Sequence, residues 1–162
     1  MHELNQLAEQ LAAALLQRHQ TLAVAESCTG GWVAKVLTDL PGSSRWFDRG
    51  FVTYSNAAKQ EMLGVSAATL DAAGAVSEAT VREMAAGVLA HSPADMALAI
   101  SGIAGPGGGS PAKPVGTVWL AWATRSCSRS ASRSGPATAH ERWAAVESGT
   151  RRSSRSLTLE DR

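Results

Sequence analysis

The sequence predicts an α/β fold: a layered (α/β/α) single domain built on a mixed or largely parallel sheet. Three observations point there. Two short runs, Thr21-Leu22-Ala23-Val24-Ala25 and Met96-Ala97-Leu98-Ala99-Ile100, are apolar and uncharged, as strands covered on both faces are. Around them apolar residues recur at helical spacing, so strands alternate with helices. Glycine-rich turns follow directly on both runs, at 30–31 and 102–109.

Taken in order, Leu4, Leu7, Ala8, Leu11, Ala12 and Leu15 mark one face of a first helix ending near Arg18. The strand at 21–25 follows, then the glycine turn and a helix through Trp32, Val33, Val36 and Leu37 to about Thr38. Pro41-Gly42-Ser43-Ser44 is a turn. Gly50 to Tyr54 reads as a second strand, and Ser55-Asn56 starts a helix with Asn56 as its cap, closed by Gly64. A short helix after Ser66 breaks at Gly74. Ser77 caps a longer helix in which Val81, Met84, Ala85, Val88 and Leu89 share a face, and Pro93 ends it. The strand at 96–100 runs into the loop 101–110, and Val115 to Ala123 alternates as a further strand. In such a sheet ligands bind beyond the carboxyl ends of the strands, and the loops 26–31, 55–59 and 101–110 all leave strands in that sense.

The totals narrow the function classes. At 162 residues the chain is one domain able to bury a real core, and its formal charge of +1 argues for no polyanionic partner. No stretch approaches the roughly 20 apolar residues that span a bilayer. The start, Met1-His2-Glu3-Leu4, lacks the basic region of a signal peptide, so the expectation is a cytoplasmic protein with Cys28 and Cys127 reduced. The charge is split. Residues 1–124 hold seven Lys or Arg against ten Asp or Glu, a net of −3, while 125–162 hold eight Arg against four acids, a net of +4. The Ser/Arg-rich stretch from 125 onward has no hydrophobic period, which predicts two regions: a folded domain at 1–124 and an atypical tail at 125–162, disordered or loosely attached. A basic tail could contact nucleic acid or a membrane surface, but a solvated tail is the simpler reading, and the acidic balance of 1–124 argues against nucleic acid.

The chemistry gathers in Ala25-Glu26-Ser27-Cys28-Thr29-Gly30-Gly31. A strand turning tightly into a helix directs its first N–H groups outward, which predicts an anion site there, and paired glycines permit close approach to the backbone. The same residues also fit plain capping by Ser27 and Thr29 with the glycines as a turn. Ser27 needs a base to act as a nucleophile. His2, His19, His91 and His140 follow no strand, whereas Lys59 does, and a partly desolvated lysine can accept a proton. Tyr54 ends the same strand and could relay a proton or orient the lysine. A Ser–Lys pair suits acyl transfer on an amide or ester; the competing reading makes Lys59 a solvated helix lysine. Cys28 is a rival nucleophile and equally a packing residue. The loop 101–110 holds five glycines and could wrap a phosphate or supply oxyanion-type N–H donors, but it lacks the Lys-Ser/Thr ending of a P-loop and the spacing of a dinucleotide fingerprint.

Several motifs in order then resemble one family. A-E-S-C-T-G-G-W-V-A-K-V at 25–36, P-G-S-S-R-W-F-D-R-G-F-V-T-Y-S-N at 41–56 with Lys59 after it, G-A-V-S-E at 74–78, S-G-I-A-G-P-G-G-G at 101–109 and K-P-V-G-T-V-W at 113–119 look like the CinA C-terminal domain. Its stand-alone versions are nicotinamide-nucleotide amidases of the PncC type. The resemblance covers roughly residues 4–124. It implies hydrolysis of nicotinamide mononucleotide to nicotinate mononucleotide and ammonia in pyridine-nucleotide recycling, with no metal and no cofactor. By motif it implies Ser27 as nucleophile and Lys59 with Tyr54 as the proton-transfer pair. Thr29, Gly30 and Gly31 would lie by the ligand at the helix N-terminus, with Asn56, Ser101, Gly102 and Gly105 lining the pocket. The alternative is a catalytically silent CinA-like module that binds a nucleotide or partner. The resemblance leaves a homo-oligomer open. Family members continue past the last motif with a further strand, a G-D-R-x-x-V-R-like motif and a closing amphipathic helix. Residues 125–162 carry none of these, a departure that a reading-frame shift in a GC-rich gene would explain.

Overall fold

A computed structural model describes residues 2–125 and 127–134, the last eight by their backbone. Among these residues five strands form one sheet in the order β2-β1-β3-β4-β5: β1 Leu22–Glu26, β2 Phe47–Val52, β3 Met96–Gly102, β4 Val118–Thr124 and β5 Cys127–Ser134. β1 runs parallel to β2 and to β3, and β4 and β5 add on antiparallel, so the sheet is mixed. Five α-helices accompany it, α1 His2–Gln17, α2 Trp32–Thr38, α3 Asn56–Leu63, α4 Ala67–Ala73 and α5 Glu78–Ala90.

Period-two alternation sorts β1 and β3 between two cores. Ala23, Ala25, Ala97 and Ala99, joined by Ala121 and Ala123 of β4, pack with Leu63, Leu70, Val81, Met84, Ala85 and Val88 from α3, α4 and α5. Leu22, Val24, Leu98 and Ile100 pack on the other face with Ala8, Ala12 and Leu15 of α1, Leu37 of α2 and Trp46. The small alanines on the first face let α5 lie close to the sheet. Its Gly87 is required for another reason: a Cβ there would stand 2.0 Å from the Leu63 carbonyl oxygen at the end of α3. α5 therefore presses directly against the helix that carries Lys59. On the amino-terminal side of the sheet, Asp95 Oδ2 accepts from Thr21 N at 2.8 Å and Thr21 Oγ1 at 3.1 Å, tying the starts of β1 and β3 together.

Several boundaries differ from expectation. β2 begins at Phe47 rather than Gly50 and ends before Thr53 and Tyr54. It is an edge strand exposing Asp48 and Arg49, so backbone pairing with β1 defines it where apolar alternation does not. β4 starts at Val118, because Val115 to Thr117 still belong to a loop in which Gly116 has φ +88°. The cap of α3 is Ser55, whose hydroxyl accepts from Ala58 N at 3.0 Å, and Asn56 is the first helical residue. β5 occupies part of the Ser/Arg-rich stretch for which no element was expected, held by antiparallel pairing from Val118↔Ser134 to Thr124↔Cys127. The rest of that stretch, 135–162, lies outside the described residues. Among the described residues no helix is long and apolar enough to cross a membrane.

Candidate active site

Because β1, β2 and β3 are parallel, the turns leaving them emerge on one edge of the sheet. Ser27 is the first residue past β1, and its N–H donates to the Ile100 carbonyl at 3.0 Å, which extends the β1–β3 pairing by one residue. Alternation sends its side chain to the face of Ala23 and Ala25, where α3 packs. Ser27 is buried.

Lys59 meets it there. The Ser55 cap and the αL closure at Gly64 (φ +68°) set the length of α3, and Lys59 projects from its first turn into the protein, with no surface exposed. Its Nζ stands 2.9 Å from Ser27 Oγ, 2.8 Å from the Thr53 carbonyl and 3.3 Å from the Tyr54 carbonyl. Burial lowers the Lys59 pKa from the ordinary 10.5, an effect that Cys28 partly opposes. No carboxylate pairs with it among its hydrogen-bond partners. A neutral amine has two N–H bonds and one lone pair. Two carbonyls can take the N–H bonds, and the lone pair is then aimed at the Ser27 hydroxyl. This is the arrangement of a general base and its nucleophile.

Glu26 supplies what sequence reasoning missed. Its carboxylate is 1 % exposed and accepts from Gly31 N at 3.2 Å, Val33 N at 3.0 Å and Ala34 N at 2.8 Å. The N-terminal N–H groups of α2 are therefore satisfied internally, and the anion site expected at that helix end is filled by the protein's own carboxylate. Neither Ser27 nor Thr29 caps α2; the cap residue is Gly31, with φ +97°. The S/T-x-x-E pattern of a capping box carries no trace of Glu26, which precedes the helix by six positions.

The site disfavours the Cys28 thiolate. Burial raises its pKa, its own backbone N–H lowers it, the Glu26 charge raises it and Lys59 lowers it, with burial the largest effect. It packs beside the core of Leu22 and Val24, and a Cβ on Gly102 would stand 3.0 Å from its sulfur.

The remaining expected residues fall into two groups. Thr29, Gly30 and Gly31 form the turn itself, with Gly30 at φ +59° and Thr29 Oγ1 buried without a partner among the described residues. Tyr54 contributes its carbonyl to Lys59 while its ring is 71 % exposed, and Asn56 is exposed at the start of α3. Ser101 and Gly102 close β3 beside Ser27. Ser101 Oγ is committed to the Ala75 carbonyl at 2.7 Å, tying the turn before α5 to the sheet edge. Lys113 Nζ donates to the Ala73 carbonyl at 2.8 Å and pins the glycine-rich loop to the same turn. Gly105, at φ +83°, lies where a Cβ would come within 2.6 Å of Val115 Cγ1. Among the described residues no group of His, Cys, Asp or Glu could hold a metal ion.

The family described as the CinA C-terminal domain matches residues 4–150. The nicotinamide-nucleotide amidohydrolase PncC of Escherichia coli K12 is 64 % identical over 122 residues, covering 75 % of this chain and 74 % of that protein. The protein of the same name from Pseudomonas putida is 52 % identical over 122 residues, 75 % of this chain and 76 % of its own length. Among solved structures, the competence damage-inducible protein A of Klebsiella pneumoniae superposes with a TM-score of 0.82 at 40 % identity, over 90 % of this chain and 96 % of that one. The competence/damage inducible protein CihA of Agrobacterium tumefaciens does so with a TM-score of 0.79 at 43 % identity, over 90 % of both chains.

Proposed function

The chain belongs to the CinA C-terminal domain family, and from that premise we propose that it hydrolyses the amide of nicotinamide mononucleotide, giving nicotinate mononucleotide and ammonia. The observation that carries the reading is the buried Lys59 Nζ at 2.9 Å from Ser27 Oγ. Neutral Lys59 takes the Ser27 proton as Oγ bonds to the amide carbon. The tetrahedral intermediate collapses, the C–N bond breaks, and Lys59 returns the proton to the departing nitrogen as ammonia. Water then attacks the acyl-enzyme with Lys59 again as base, releasing the carboxylate and restoring Ser27. No step calls for a metal or cofactor.

Tyr54 is assigned with Lys59 to proton transfer by its place in the T-Y-S-N motif alone; its backbone carbonyl orients Nζ, and its ring is exposed. Thr29, Gly30, Gly31, Asn56, Ser101, Gly102 and Gly105 are assigned to the nucleotide pocket, supported by their place on the edge that holds Ser27. The amidase domain is assigned to residues 1–124. The identity to the Escherichia coli relative, which runs over 122 residues, supports that division, whereas the family match runs on to 150 and β5 lies beyond it. The reaction is assigned to the cytoplasm.

A silent binding module would have no use for a desolvated lysine on a serine hydroxyl. Incubating the protein with nicotinamide mononucleotide and measuring free ammonia separates the two: release supports the amidase, and binding without release supports the module.

A further inference from the structure

We propose that Glu26 is a positioning residue of this hydrolysis, and that the backbone N–H groups of Cys28 and Thr29 receive the oxyanion formed on the substrate amide. The inference rests on the amidase reading and follows from a complete accounting of the turn's donors. Ser27 N–H donates to Ile100 O, Gly30 N–H to Ser27 O, Trp32 N–H to Thr29 O and Lys35 N–H to Gly31 O. Gly31, Val33 and Ala34 N–H all donate to the Glu26 carboxylate. Along residues 27–35, only the N–H groups of Cys28 and Thr29 have no carbonyl or carboxylate acceptor among the described residues, and the Cys28 N–H meets only its own thiol, a weak acceptor.

Those two residues directly follow the nucleophile, and no other donors of the stretch are available to charge that develops next to Ser27 Oγ. Glu26 makes the choice. An unplugged helix end would compete for any anion at the site, including the charged end of a nucleotide. The carboxylate removes that competition and anchors the turn from its far side through three bonds, holding Ser27 against β3 and Lys59. Donors fixed before the reaction act where charge appears and cost no reorganisation. Thr29 Oγ1, buried and unpartnered among the described residues, stands in the same turn.

The chemistry to be read is addition of Ser27 to a substrate aldehyde, in which a carbaldehyde replaces the carboxamide. Ser27 Oγ bonds to the carbonyl carbon, its proton passes to Lys59, and the former carbonyl oxygen takes up the negative charge or that proton. No group leaves. The experiment records the amide N–H resonances of the full-length, 15N-labelled chain with and without this aldehyde. The expected result is an adduct on Ser27 with the Cys28 and Thr29 amide protons moving downfield, and the N–H groups of 103–109 unmoved. An adduct whose downfield shifts fall on 103–109 overturns the inference and leaves the amidase intact. Absence of any adduct on a folded chain overturns both. A second arm uses Glu26→Gln, whose amide cannot accept all three N–H groups. It is expected to lower kcat about 10- to 100-fold, with KM within about threefold and the pH limb of Lys59 in place. A folded Glu26→Gln protein with the parent's kcat removes Glu26 from the role.

Discussion

Lys59 Nζ reaches Ser27 Oγ at 2.9 Å from a helix that starts 29 residues after the nucleophile, and it does so with no surface exposed to water. The pair is therefore a product of the fold: β1 sets the serine, α3 sets the lysine, and α5 presses α3 into place.

The protonation of Lys59 gives the first prediction. Its pKa is lowered by burial, so activity is expected to rise with pH through that lowered value, as the neutral amine forms. Lys59→Arg, which stays protonated, is expected to reduce kcat by about 10²–10⁴-fold. A pH–rate profile with no acid limb, or an active Lys59→Arg protein, contradicts this.

The same shift links to stability. The unfolded chain holds the lysine proton up to about the ordinary 10.5, while the folded chain gives it up earlier. Between the two values the unfolded state binds more protons, so stability is expected to rise with pH across that window. Lys59→Met is expected to flatten that part of the curve. Denaturant midpoints measured from neutral to alkaline pH for both proteins check it.

The cap of α3 is open to a paired comparison. Ser55→Ala loses the bond to Ala58 N and is expected to cost about 1 kcal/mol, with a lower kcat because Lys59 sits one turn along. Asn56→Ala is expected to leave stability within about 0.5 kcal/mol. The reverse order in urea denaturation would return the cap to Asn56.

Gly87→Ala is expected to destabilise by about 1–3 kcal/mol or more, since its new methyl meets backbone at Leu63 O and no side chain can turn aside. Activity is expected to fall beyond the loss of folded protein, because α3 is displaced. A thermal midpoint equal to the parent's contradicts the close contact of α5 with α3.

The division of the chain at 124 is tested at the gene. A single-base change near codon 125 is expected to restore a G-D-R-x-x-V-R-like stretch and an amphipathic helix. If no such change exists, the Ser/Arg-rich segment is native coding sequence.

How much of this was legible depends on how local each signal is. β1, β3, α1 and α5 follow from apolar period, Ser27 stands out because it directly follows a strand, and Lys59 because it lies in the first turn of the helix after the next strand. Glu26 did not, because its three acceptor contacts fall five to eight residues ahead, outside any local capping pattern. β2 was misplaced because an edge strand showing Asp48 and Arg49 to solvent needs no apolar alternation. β5 has no apolar signal, since backbone pairing to β4 sets it and its alternation is of Ser with Arg, Ala and Cys. Ser55 and Asn56 are equally good caps on paper, and only the backbone of the turn decides between them.

The central claim is a serine nucleophile served by a buried lysine. Ammonia release from nicotinamide mononucleotide by the parent, beside Ser27→Ala, tests it most directly. Turnover by the parent and a loss of at least about 10³-fold in Ser27→Ala are expected, with both proteins folded. Turnover that survives in Ser27→Ala would contradict it.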